Sequence, residues 1–217
     1  MQKQVTLVIA TRNKGKTEEI RAMLHGQPVV IKNLDDFGPI PEVIEDGETF
    51  DENAYKKASF TARVLGLPAL ADDSGLVVSA LNGRPGVHSA RYAGPEATDA
   101  ERVQKLLAEM KGVVDRSAAF ECVISIAVPQ GAALTYEGRA EGVITDHPSG
   151  TGGFGYDPLF YFPEYQKTFA EMTLEEKGRV SHRGKALTEV VNEFEKVMKW
   201  IDLNMPRFVC SHDEGAL

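Results

Sequence analysis

The chain has 217 residues, of which 42% are apolar and 26% charged, and its formal net charge is −8. That length and composition suit a soluble globular protein with a substantial core, while the acidic balance excludes a broad nucleic-acid or membrane-binding surface and confines any polyanion contact to a focused cationic cleft. Two distant cysteines, Cys122 and Cys210, make no disulfide framework or zinc motif, and the apolar stretch near the N-terminus is too short for a signal or spanning segment, so the expected compartment is the reducing cytoplasm.

Val5 to Ala10 predicts a buried strand, followed by a helix from about Lys14 to Leu24 with Ile20, Met23 and Leu24 inward. Val29 to Asn33 predicts a second short strand. Residues 35 to 48 hold two prolines, two glycines and six acidic side chains, which predicts a loop. Thr49-Phe50-Asp51-Glu52 matches a capping box, and Phe50, Ala54, Ala58, Ala62 and Leu65 continue it at helical spacing until Gly66. Pro68 to Asp72 and Leu76 to Leu81 predict two strands joined by an Asp-Ser-Gly turn. Thr98-Asp99-Ala100-Glu101 is a second capping box, leading a helix through Val103, Leu106, Leu107 and Met110. Ser117 to Pro129 and Ala132 to Ile144 predict a long antiparallel hairpin turning near Gln130-Gly131, with Cys122 a buried, inert thiol inside it. A glycine-rich stretch from Pro148 to Gly155 precedes a strand from Asp157 to Phe162. Leu187, Val190, Val191, Phe194, Val197, Met198 and Ile201 trace one face of a single last helix from about His182 to Leu203. The tail after Pro206 is expected to be loosely ordered. The order is mixed α/β around a central sheet.

Two of these helices begin with cations: Thr11-Arg12-Asn13-Lys14-Gly15-Lys16 and Ser181-His182-Arg183-Gly184-Lys185. Positive side chains oppose the helix dipole at that end unless an anion such as phosphate binds there. Ala10 to Thr17 misses a Walker A loop only at its first glycine, and alanine there makes the tight backbone wrap costly, so a phosphate cradle of another topology, or an ordinary turn with solvated lysines, fits better. Asp72-Asp73-Ser74-Gly75 offers paired carboxylates. Neighbours on a strand point to opposite faces, so Asp73 is expected to face a cleft and Asp72 to anchor backbone. A divalent cation such as magnesium needs only a few carboxylates plus water and phosphate oxygens, with Glu45 and Glu52 as further candidates. Gly150 to Asp157 combines glycines that admit close approach with Phe154 and Tyr156, which can stack on a base.

These motifs resemble, in order, those of the inosine triphosphate pyrophosphatase family. The matching blocks are Thr11 to Lys16, Thr49 to Ala54, Ala71 to Leu76, Pro85 to Tyr92, Gly152 to Pro158 and Ser181-His182-Arg183. The resemblance implies hydrolysis of ITP, dITP and XTP to the monophosphate and pyrophosphate. It also implies an elongated mixed sheet with two lobes around a nucleotide cleft, a homodimer and dependence on Mg2+. Residues 1–204 would form the two-lobed domain, and 205–217 an extension without a family role. Carried over by motif, Thr11, Arg12, Asn13, Lys14, Gly15 and Lys16 would hold the triphosphate, and Asp73 would be proton acceptor and metal ligand. Ser74 would touch substrate, and Phe154, Gly155, Tyr156, Asp157, Lys177, His182 and Arg183 would surround base and sugar. Glu45 is the second metal ligand of choice, within Ile44-Glu45-Asp46. Arg12 stands where the family often has a small residue. A pyrophosphatase for modified pyrimidine or methylated nucleotides shares the same phosphate chemistry. A nucleotide-sensing module would need the cradle without Asp73, and a P-loop kinase or ATPase would release or transfer orthophosphate instead.

Overall fold

The computed structural model describes residues 5–206. The expectation of a loosely ordered tail, and the extension from residue 207 on, lie outside that range. Seven strands form one mixed sheet in the order β2-β1-β3-β4-β5-β6-β7. They are β1 (Val5–Ile9), β2 (Val29–Asn33), β3 (Ala69–Val78), β4 (Ser117–Ala127), β5 (Ala133–Ile144), β6 (Phe160–Phe162) and β7 (Lys167–Thr168). The helices are α1 (Lys14–Met23), α2 (Phe50–Leu65), α3 (Asp99–Glu109), α4 (Leu174–Val180), α5 (His182–Asn192) and α6 (Phe194–Asn204). Only β1 pairs in parallel, with β2 and β3, so the crossover helices α1 and α2 belong to this end of the sheet. The remaining pairs are antiparallel. This is the mixed α/β class that the order of elements implied.

The alternation of side chains along β3 and β4 divides the core. Leu70, Cys122, Ile124 and Ile126 face Ile20 of α1, Leu24 just after it, and Leu187 and Val190 of α5. Ala71 and Ala127 face Ala58 and Ala62 of α2, where small side chains let the helix lie close to the sheet. A third cluster around Leu76, Leu106, Phe120, Phe160 and Phe169 fills the other end of the sheet.

Several local expectations are corrected. β3 is one strand, not two around a turn: Ala69 through Val78 pair residue by residue with Ala127 through Ala118. The long β4 supplies partners to Asp73, Ser74 and Gly75, and the ladder overrides their local turn preference. The last helix is two, because the backbone opens at Glu193 (φ −102°, ψ 13°) before α6 restarts. β6 is shorter than expected, since Asp157, Pro158 and Leu159 belong to the turn before it, and neither β7 nor α4 was foreseen. At α2, Thr49 caps the Glu52 amide at 3.1 Å, but the Glu52 carboxylate accepts from the Glu48 amide rather than closing the box on Thr49. The box at Thr98 and Glu101 is complete.

Candidate active site

The cleft begins where β1 ends. Ladder pairing of β1 with β3 stops at Ile9 and Leu70, and the Ala10 amide makes the last contact, 2.7 Å from the Leu70 carbonyl. Further along the same edge, the Leu76 amide donates to the Ser89 hydroxyl at 2.9 Å. Between these points β3 presents Asp72, Asp73 and Ser74 beside the turn that enters α1. Two adjoining cavities open there. One, of about 370 Å³, is lined by Thr11, Arg12, Asn13, Lys16, Glu45, Lys57, Asp73 and Arg91 among others. The other, of about 100 Å³, is lined by Phe120, Phe154, Gly155, Tyr156, Asp157, Lys177, His182 and Arg183 among others. Asn13, Lys16, Ser74 and Ala90 border both, so the two cavities adjoin along a shared rim and are together called the cleft.

Asp73 faces the larger cavity from the α2 side of the sheet. Its Oδ1 accepts from Lys57 Nζ at 2.6 Å, and the same ammonium lies 3.1 Å from Glu45 Oε2. Burial pushes the Asp73 carboxyl above its ordinary value, against the pull of Lys57 and Lys16. Burial also works against the Lys57 charge, but Asp73 and Glu45 outweigh it and hold the ammonium protonated. Two carboxylates thus converge on one point at the cleft floor, Asp73 largely buried and Glu45 exposed on its loop. Among the described residues no cage of three or more metal-ligating side chains exists. Two carboxylates with open space for water and phosphate oxygens are the donor set that a hard, hydrated dication takes.

Asp72 points the other way and is fully enclosed. It accepts from Arg183 Nε at 2.9 Å and Nη2 at 3.2 Å, from the Ser74 hydroxyl at 3.0 Å and from the Cys122 thiol at 2.8 Å, and it pairs with Lys16. Burial opposes its charge, yet Arg183 and Lys16 hold the carboxyl well below its usual range. The Cys122 thiol is pushed well up by burial and by Asp72, and so remains a donor. The expectation that Asp72 anchors backbone is therefore corrected: it anchors two cations. This also changes the meaning of the two basic helix starts. Lys16 and Arg183, from the first turns of α1 and α5, find their counter-anion inside the protein, and Arg183 pairs with Glu19 as well. The leading amides of both helices are capped locally, Lys16 by Asn13 Oδ1 at 3.1 Å and Gly184 by Ser181 Oγ at 3.0 Å. α1 already begins at Lys14, so the segment is a short strand-to-helix connection and not a P-loop wrap.

The smaller cavity is an aromatic recess with charged walls. Lys177 Nζ sits 2.5 Å from Asp157 and 2.7 Å from Glu19, and 4.7 Å from the centre of the Phe154 ring. Phe154 packs against Gly15, where any side chain would collide with the ring, so glycine in the first turn of α1 is required by this contact. His182 stacks on Phe120 with centroids 4.7 Å apart and rings 11° from parallel. Burial, with Arg183 beside it, holds the imidazole neutral, and its Nδ1 has no hydrogen-bond partner.

Most residues singled out from sequence meet in this cleft. Lys14 does not line it and is exposed, and Gly15 serves Phe154 rather than the cavity. Sequence reasoning missed Lys57, Glu19, Phe120 and Arg91. Lys57 was detectable: it lies between Ala54 and Thr61 at helical spacing, so a lysine interrupts the buried stripe of α2.

A cleft at the carboxyl end of a parallel strand, with a carboxylate pair at one side and an aromatic recess at the other, marks an α/β protein of the ligand-cleft class. The chain belongs to the Ham1 family, whose model matches residues 7–193. It is 62% identical over 212 residues to the dITP/XTP pyrophosphatase of Syntrophobacter fumaroxidans, covering 95% of this chain and 91% of that protein. It is 49% identical to the dITP/XTP pyrophosphatase of Geobacillus kaustophilus, covering 88% and 95%. The structure of a HAM1 protein from Coxiella burnetii superposes with a TM-score of 0.82 at 44% identity, covering 89% of this chain and 100% of that one.

Proposed function

We propose that this protein hydrolyses non-standard purine nucleoside triphosphates, dITP, XTP and ITP, to the monophosphate and pyrophosphate. The observation that carries the reading is a pair of adjoining cavities that set an Asp73–Lys57–Glu45 group beside an aromatic recess, on a chain with high identity to proteins named for this activity. The triphosphate lies along Thr11, Arg12, Asn13 and Lys16, and the base enters between Phe154, Lys177, His182 and Arg183. Asp73 takes the proton of the attacking water as the α–β phosphoanhydride is cleaved. Asp73 and Glu45 fit magnesium, which when bound would neutralise phosphate charge and make hydroxide accessible near neutral pH. Lys57, held between those carboxylates, keeps them from repelling one another and faces the incoming phosphates with its charge.

Selection rests on the recess. Arg183 spends Nε, Nη2 and one Nη1 contact on Asp72, Ser74 and Glu19, which fixes its plane and leaves little freedom for an ill-matched base. A donor directed at the six-position rewards a keto oxygen and is left unpaired by adenine's amino group, a mismatch that discriminates by up to about 10⁴–10⁵. The protein acts as a cytoplasmic homodimer in this reading. The two widely spaced cysteines agree with a reducing compartment, and no helix among the described residues is long and apolar enough to cross a membrane. Pyrophosphate release from dITP, XTP, ITP, GTP and ATP, with and without magnesium, tests the proposal. Fast release from the first three, requiring magnesium, is expected; equal rates on all five would defeat base selection, and orthophosphate as product would defeat the reaction. Light scattering reports the dimer.

A further inference from the structure

Asp99 starts α3, and its sequence context explains it as a first-turn acid beside the Thr98 cap. In the structure its side chain also reaches the recess wall. Oδ2 accepts the Gly155 amide at 2.7 Å. Oδ1 pairs with Arg102, which in turn donates to the carbonyls of Ala90 at 2.8 Å and Ala97 at 2.5 Å. The amide one residue earlier, on Phe154, donates to Asp157 Oδ2 at 2.9 Å. Consecutive amides are thus each pinned by a carboxylate, one from the same turn and one from a helix 56 residues earlier in the chain. Gly155 occupies φ 62°, and the glycine-rich residues leading to it form no regular structure. Such a segment has much backbone freedom to lose, so the pins decide where it rests. What they place is the Phe154 ring. On the other side of the same segment, the Tyr156 hydroxyl donates to the Ser89 carbonyl at 2.9 Å, so the rim from Ser89 to Ala90 and the loop from Phe154 to Tyr156 are tied into one unit.

We propose that Asp99, held in place by Arg102, is a positioning residue for the base side of the cleft: it fixes the Gly155 backbone and with it the aromatic wall formed by Phe154. The inference rests on the functional reading above for the nature of the ligand, and on the hydrogen bonds alone for the placement. It assigns Asp99 no contact with the phosphate end, since Asp99 does not border the cavity that holds Asp73 and Lys57.

Three measurements on the full-length protein and its Asp99→Ala and Asp99→Asn variants decide it: amide exchange at Gly155 without ligand, calorimetric affinity for dIMP and for pyrophosphate, and steady-state kinetics with dITP. A charged acceptor to a backbone amide is strong enough that Asp99→Ala should speed Gly155 exchange and weaken dIMP binding by about tenfold. The KM for dITP should rise by a similar factor, while kcat and pyrophosphate affinity stay within about twofold. Asp99→Asn keeps a side-chain oxygen for the amide and should recover most of the loss. Unchanged dIMP affinity in Asp99→Ala, equal weakening of dIMP and pyrophosphate, or an asparagine variant as impaired as the alanine one would each overturn the proposal. Wild-type protein that binds dIMP but releases no pyrophosphate from dITP would sink the functional reading while the affinities still judge Asp99. If even dIMP fails to bind, the Gly155 exchange rates judge its placement.

Discussion

Asp72 and Asp73 show how little a residue type says about its task. Both are buried, but one meets two cations across the core and the other shares a lysine with Glu45 in the cleft. If Asp73 accepts the proton, Asp73→Asn should lower dITP turnover by at least about a hundredfold with little change in affinity. Single-turnover pyrophosphate release checks this, and near-normal turnover would remove Asp73 from that role. The outward direction of Asp73 was readable from strand alternation once a strand was recognised. The partners of Asp72 were not, because Arg183 lies 111 positions away and no local pattern announces such a pairing. Lys57 stood between these cases. Its place on the buried stripe of α2 was visible, but the carboxylates it joins belong to a loop and a strand on either side of it in sequence.

Elements with strong local signals formed where the sequence placed them: β2 matches residue for residue, and α3 begins at its predicted cap. β3 did not, because its turn-like tetrapeptide is decided by a partner strand some fifty residues later. The basic starts of α1 and α5 suggested a bound anion in the sequence, but Asp72 and Glu19 supply Lys16 and Arg183 with counter-charges from inside the protein. Asp72→Asn should therefore act on both helices at once. It leaves the buried Arg183 guanidinium and Lys16 short of their counter-charge, and breaking a buried pair in this way costs about 3–5 kcal/mol. The urea midpoint should fall accordingly, with an unchanged slope. A midpoint within experimental scatter of wild type would show that Asp72 is dispensable to the helix packing.

At the scale of the molecule, the buried charges set a pH window. His182 is held well below its ordinary value of 6.5, first by burial and then by Arg183. The unfolded chain therefore takes up a proton near that value while the folded protein does not, so stability falls as pH drops through the ordinary imidazole range, by up to about 1.4 kcal/mol per pH unit. Glu19 works lower down. Burial raises its pKa, but Arg183 and Lys177 outweigh it and leave the carboxyl depressed. Its contribution is present above the ordinary glutamate value and lost only as pH falls through the depressed one. Thermal unfolding between pH 8 and 5 should show the histidine component, and His182→Gln should flatten it. An equal decline in that variant would assign the loss to other groups.

The juxtaposition of two aspartates on β3 has a consequence for anyone recombining this chain. Because successive residues of a strand turn to opposite sides, inserting or deleting a single residue within 69–78 would exchange their surroundings, sending the deeply compensated acid towards the cleft and the cleft-facing one towards Arg183 and Lys16. Chimaeras and circular permutants must therefore place their junctions outside this strand, or change its length only in steps of two.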